Sequence, residues 1–212
     1  MFRAFLATGL FFLSFLSFSQ EFEEEVNALI TMYPNVQPKD SAIVFTGSSS
    51  IRMWHHLQTD FPGRNIINTG FGGSETSDLI FYREQLVLRF YPVKVFIYEG
   101  DNDIARGKSA KKTFRHMRRL VRKLQRKLPF TQFVIISAKP SLVRWHLKDD
   151  YLQLNRLLEK LAKRKQGVEY LNIWDAMLDK EKQPLKDIFI EDGLHMNAKG
   201  YGIWKEAFKS YL

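Results

Sequence analysis

No cysteine occurs in the 212 residues, which excludes a disulfide framework, a thiolate metal site and a lipid-bearing cysteine. Proline is scarce at 7 residues, and no linker rich in Pro, Gly or Ser, no repeat and no low-complexity tract divides the chain. Acidic residues are outnumbered, 23 against 32 Lys and Arg, leaving a formal charge of +9. Long apolar runs are missing except at the start. There, "MFRAFLATGLFFLSFLSFSQ" places Arg3 before an uncharged stretch that lasts to Glu21. This is the pattern of a secretory signal peptide over residues 1–19, with the small residues Ser17 and Ser19 before the cut and Gln20 opening the mature chain. The run is short for a membrane span, so an uncleaved anchor is the weaker reading. An exported protein, periplasmic or secreted, is expected.

What remains is enough for one core. With 45% hydrophobic and 14% aromatic residues, residues 20–212 are expected to fold as a single domain. A polar, helix-prone lead-in covers 21–33. Apolar runs at 42–45, 65–68, 93–98, 131–137 and 168–173 then alternate with amphipathic stretches at 75–89, 109–128, 149–165 and 198–211. Near-continuous apolar strands alternating with helices imply a parallel sheet covered on both faces, hence a three-layer α/β/α sandwich with about five strands. Sheets of this kind bind ligands beyond the carboxyl ends of their strands. The stretch "RGKSAKKTFRHMRRLVRKLQRKL" places Phe114, Met117, Leu120, Val121, Leu124 and Leu128 at helical spacing and fills the other face with Lys and Arg. A solvated basic face is the simpler reading of it, and attraction to an anionic surface the sharper one. Nucleic acid fits poorly, because the chain is read as exported and no aromatics interleave with the cations.

The strand ends carry the chemistry. After the first apolar run comes "TGSSSI", after the second "NTGFGGSET", after the third "YEGDNDI", and before the last helix "EDGLHMNAKGY". A serine hydroxyl is a weak nucleophile that needs a base within hydrogen-bond reach. His195 can be that base, and Asp192, three residues earlier, can turn back to hold its other ring nitrogen. An oxyanion needs preorganised donors, which the backbone at Gly72 and Gly73 and the Asn102 amide can supply. Taken singly, each of these is common loop chemistry. Together and in this order, the segments resemble the sequence blocks of the SGNH hydrolases, the GDSL-type esterases and lipases, from about Ala42 to the C-terminus.

The resemblance implies a flavodoxin-like α/β/α fold and no cofactor or metal. It lays Gly47 on the glycine of Gly-Asp-Ser, Ser48 on the aspartate and Ser49 on the nucleophile, with Ser50 the competing assignment. It puts Gly73 and Asn102, with the Ser49 amide, in the oxyanion hole, and Asp192 and His195 in the closing Asp-x-x-His. Ser48 in place of aspartate is a departure that bears on rate and local rigidity. No G-x-S-x-G elbow surrounds Ser49, and no H-E-x-x-H pattern occurs. His55, His56, His116 and His146 read as surface residues, Asp103 as a loop brace and Trp54 as core. Gly72 could approach substrate through its backbone, and Lys139, Arg144 and Trp145, after the fourth strand, could reach the rim as substrate contacts, or Trp145 could simply pack on the domain. The resulting expectation is a serine esterase removing a short acyl group such as acetyl from a carbohydrate, since no long apolar insertion offers a lid. A lysophospholipase or thioesterase is the nearest rival, and a catalytically weak carbohydrate-binding protein on the same fold the rival from another class.

Overall fold

Five short apolar runs pair into one sheet. The computed structural model describes residues 22–34 and 41–212, so the signal-peptide segment and Gln20 lie outside the described residues. A helix at 22–32 (α1) precedes β1 (Ile43–Gly47), β2 (Ile66–Gly70), β3 (Lys94–Tyr98), β4 (Gln132–Ile136) and β5 (Val168–Leu171). All neighbours are parallel, in the order β2-β1-β3-β4-β5. This is the flavodoxin-like order, in which the chain reverses direction across the sheet between β1 and β3 and opens a crevice there.

Every residue of β1 is buried, and β3 and β4 are buried after their first residue, as strands covered on both faces must be. Alternate side chains therefore feed two cores. Val44, Ile67, Val95, Ile97, Phe133 and Ile135 join the first, against α4 (Thr76–Leu86), α6 (Ala110–Lys127) and α7 (Lys148–Arg164). Phe45, Phe96, Val134 and Ile136 join the second, with Trp204 and Phe208 of α8 (Ala198–Phe208). Trp54 sits in that second core as expected, 1% exposed, with its ring edge-on to Phe45 and Phe208 and its indole N–H donating to Asp60 at 2.8 Å.

Three short helices were not legible as helices: α2 (Ser49–Arg52), α3 (Leu57–Asp60) and α5 (Asp101–Ala105). Each has four or five residues, too few to show a period. Two of them, α2 and α5, begin where β1 and β3 end. Among the described residues no helix is long and apolar enough to cross a membrane.

Candidate active site

Gly47 explains why the chain breaks as it does after β1. Its φ is +126°, and a Cβ there would lie 2.0 Å from the Tyr98 carbonyl oxygen of β3; only glycine fits such a conformation and approach. The Ser48 amide donates to that same carbonyl at 3.0 Å, which launches α2 away from the sheet. Ser50 is then 3% exposed, inside the fold, with its carbonyl accepting from the Tyr201 hydroxyl at 3.0 Å. Ser49 is left half-buried at the mouth.

The loop before α8 comes to meet it. Asp192 Oδ1 accepts from the amides of Leu194 at 2.8 Å and His195 at 2.9 Å, closing a tight turn. Its Oδ2 lies 2.5 Å from His195 Nδ1, and His195 Nε2 lies 2.8 Å from Ser49 Oγ. The Asp192 carboxylate accepts only, so Nδ1 carries the ring proton and Nε2 is free to accept from the serine hydroxyl. Desolvation works to raise the Asp192 pKa, but the bonds from His195 and the two amides outweigh it and hold the carboxyl at about 2. It is ionised whenever the histidine needs it. The structure thus brings Ser49, His195 and Asp192 into one hydrogen-bonded series and leaves Ser50 out.

Of the three expected oxyanion donors, Asn102 is already engaged within the protein. Asn102, the second residue of α5, is buried behind Ser49, and its Nδ2 donates to Ser48 Oγ at 2.7 Å and to the Ser74 carbonyl at 2.9 Å. Both amide hydrogens therefore have acceptors within the protein. Ser48, in the position the resemblance gives to aspartate, serves as a neutral acceptor for Asn102, and a hydroxyl holds that donor less firmly than a carboxylate would. Gly73 has φ +71°, in the left-handed region that favours glycine, with Arg106 as the nearest side chain to its open face. The Ser49 amide is the first of α2 and has no intrahelical acceptor.

Four expected substrate contacts turn out to be occupied. The Gly72 amide donates to Glu25 of α1 at 2.9 Å, and Glu25 also pairs with Arg52 at 3.3 Å. Lys139 is 1% exposed and donates to the Leu194 carbonyl at 2.5 Å, beside the Phe189 ring. Burial lowers its pKa to about 8 against the pull of Asp101. Arg144 pairs with Asp101 and donates to Asn102 Oδ1 at 3.1 Å. Trp145 stacks on Trp174, centroids 5.8 Å apart. For Lys139 and Arg144 the reason is shared: buried carbonyls and carboxylates near the strand ends need partners, and these two side chains supply them; Trp145 packs on the domain instead.

Other members of the site had weak sequence signals. Asp101 accepts from the Tyr98 and Tyr151 hydroxyls at 2.9 and 3.0 Å, and Lys139 and Arg144 hold its pKa down against its burial. Glu99, 1% exposed, accepts from Ser74 Oγ at 2.7 Å beneath the Gly73 loop, and burial followed by the nearby Asp103 pushes its pKa well up. Asp103 braces that loop, accepting from the Thr76 amide and hydroxyl at 2.8 and 2.9 Å. The crowding of three acids in "YEGDND" was the available signal. His116 is half-buried at the surface, with Nδ1 3.8 Å from Asp103. His55, His56 and His146 are exposed.

A serine, a histidine and an aspartate hydrogen-bonded in series at the carboxyl ends of a parallel sheet form the constellation that nucleophilic serine hydrolases use. The model of the GDSL-like Lipase/Acylhydrolase family matches residues 40–203, and the protein belongs to that family. Comparison with curated proteins finds no match. Among solved structures, the fold is similar to that of a Streptococcus pneumonia protein described as a platelet activating factor, with TM-score 0.81, 20% identity and 99% of each chain covered. It is also similar to a GDSL-like lipase from Bacteroides thetaiotaomicron, with TM-score 0.74, 20% identity, and 88% of this chain and 96% of that one covered. An acetyl-xylooligosaccharide esterase from Geobacillus Stearmophilus aligns with TM-score 0.67 and 18% identity over 79% of this chain and 92% of its own. At these identities the likeness is one of fold.

Proposed function

We propose that the protein is an exported serine esterase that hydrolyses short acyl esters, acetyl above all, on carbohydrate. The observation that carries the reading is the series Asp192 Oδ2 to His195 Nδ1 at 2.5 Å and His195 Nε2 to Ser49 Oγ at 2.8 Å. In it, His195 Nε2 takes the hydroxyl proton as Ser49 Oγ bonds to the ester carbonyl carbon, and the imidazolium is held by Asp192. The carbonyl oxygen becomes an oxyanion between the amides of Ser49 and Gly73, and Asn102 Nδ2 turns to it by giving up Ser48 Oγ. Collapse breaks the bond to the alcohol, which leaves with the proton from Nε2. Water, deprotonated by the same nitrogen, then releases the acid and restores Ser49.

Family membership supports ester hydrolysis, and the carbohydrate substrate is favoured by the fold likeness to an acetyl-xylooligosaccharide esterase. Export rests on the charge and apolar pattern of residues 1–19. The test is turnover of a chromogenic acetyl ester, lost in Ser49→Ala and kept in Ser50→Ala. Acetylated xylan, acetylated peptidoglycan, a lysophospholipid and an acyl thioester, offered in parallel, separate the substrate classes: preference for either of the last two overturns the carbohydrate assignment. Mass spectrometry of the native protein should find Gln20 at its N-terminus, and an intact Met1 would refute export by cleavage.

A further inference from the structure

Helix α6 carries nine basic side chains, Lys111, Lys112, Arg115, Arg118, Arg119, Arg122, Lys123, Arg126 and Lys127, and no acid. Among the described residues none of the nine makes an ion pair. Some surface cations elsewhere do, among them Lys163 with Glu159, Lys205 with Asp60 and Lys209 with Glu206. Glu159 of α7 lines a different hollow, with Tyr170 and Trp174. Between α6 and α7 runs a groove of about 370 Å³ whose walls are Arg115, Arg118, Arg119, Arg122 and Lys165, with Leu161 as the one apolar member. Five like charges around one hollow repel each other when it is empty.

We infer that this groove is a binding site for a linear, phosphate-bearing polyanion. Three observations select that ligand. Guanidinium forks match the paired oxygens of phosphate, and four of the five cations are arginines. Residues three and four apart on a helix lie about 5–6 Å from each other, so Arg115, Arg118, Arg119 and Arg122 present a row of charge, which suits a chain better than a single ion. The cations stand in a concavity, and the exposed aromatics nearest α6, Phe81 and Phe130, lie outside that groove, so a membrane surface is an outcome the test separates. No aromatic lines the groove for base stacking, so the polymer is recognised by its phosphates alone. The site is separate from the Ser49–His195 pair and does not depend on the esterase reading.

The test is calorimetric titration of the full chain with short inorganic polyphosphate. Saturable binding that weakens with salt is expected. The variant Arg115→Gln/Arg118→Gln/Arg122→Gln should lose roughly tenfold or more in affinity, the cumulative effect of three exposed charge contacts. Lys163→Gln/Lys199→Gln/Lys209→Gln removes the same net charge from ion-paired positions and should bind as wild type. Equal losses in the two variants would reduce the effect to net charge and overturn the site. So would absence of saturable binding, or tighter binding to phosphatidylglycerol vesicles or to single-stranded DNA than to polyphosphate. Far-UV circular dichroism confirms that both variants are folded before either is titrated.

Discussion

The two cationic regions of this protein are built on opposite terms. At the strand ends, Lys139 and Arg144 are held by carbonyl, carboxylate and amide oxygens and serve the protein itself. On α6, nine cations have no carboxylate partner among the described residues. Sequence treats the two alike, because a Lys or Arg in a loop and one on a helix carry the same charge. The surroundings separate them: a buried ammonium or guanidinium must be paired, whereas an exposed one can stay hydrated and wait for a partner. The β4–α7 loop is accordingly a brace. Lys139 Nζ grips the Leu194 carbonyl, the Leu142 amide donates to the Gly193 carbonyl at 2.9 Å, and Arg144 grips Asn102. One loop thereby ties the histidine turn to Asn102.

The largest expected effect lies at the centre of that brace. His195→Ala should lower kcat for an acetyl ester by roughly 10⁴ to 10⁶, the range seen when a member of a serine–histidine unit is removed. Retention of more than a hundredth of the activity would mean that another group takes the serine proton. Asn102→Ala follows, with kcat down by roughly 10² to 10³ and KM little changed, as for one lost oxyanion donor. Unchanged kcat would leave Asn102 bound to Ser48 and Ser74 throughout and remove it from the chemistry.

Lys139 comes next, and pH isolates it. Its folded-state pKa of about 8 lies below the ordinary lysine value of 10.5, so between those pH values the unfolded chain binds a proton that the folded chain has released. Stability from this group therefore rises with pH across that window, and below pH 8 the protein carries the cost of a buried charge. Lys139→Met abolishes the dependence. In urea melts at pH 7 and pH 10, wild type should gain on the variant as pH rises; parallel behaviour would mean that Lys139 is not buried as a cation. Activity should fall about tenfold in kcat, because the unpaired Leu194 carbonyl loosens the turn that holds His195. A rise in KM alone would return Lys139 to the role of substrate contact that its loop position implied.

Much of the architecture was legible because it depends on period and burial. The expected strand at 93–98 is observed at Lys94–Tyr98, and the expected helix at 109–128 at Ala110–Lys127. Boundaries slipped toward the site: β1 runs on to Gly47 and β2 to Gly70, beyond the apolar residues, because the parallel ladder continues through Thr46–Thr69 and Gly47–Gly70 whatever the side chains are. For the candidate site, the residue types at the strand ends pointed to Ser49, Asp192 and His195, and the structure brings the three together. The second tier of contacts was illegible for a physical reason. Glu25 reaching Gly72, or Lys139 reaching Leu194, joins residues 47 and 55 positions apart, and such pairings answer the needs of buried polar atoms that only the folded chain defines.

Arg144 sharpens the comparison at a smaller scale. Its fork spans two acceptors, Asp101 and Asn102 Oδ1, and lysine has no planar fork with which to hold both at once. Arg144→Lys should keep the ion pair with Asp101, release Asn102, and lower kcat several-fold while leaving KM near wild type, the pattern of an interaction made in the transition state. Raised KM with kcat intact would make Arg144 a substrate contact after all.

The smallest effect is expected on α6, where it is the lack of an effect that matters. Arg115, Arg118 and Arg122 have no carboxylate partner among the described residues, and all three are exposed. Changing the three to glutamine keeps helix propensity close to that of arginine and removes repulsion between neighbours three and four residues apart, each such pair contributing about 0.2–0.5 kcal/mol. Thermal stability should hold or rise slightly, most visibly at low salt where the repulsion is least screened. Turnover of a small neutral ester should stay within about twofold, because no bond links these side chains to Ser49, His195 or Asn102. A loss of stability would show that these arginines hold α6 against α7. A large loss of turnover would show that the helix shapes the catalytic end, and the division between cations that serve the fold and cations that serve a partner would fail.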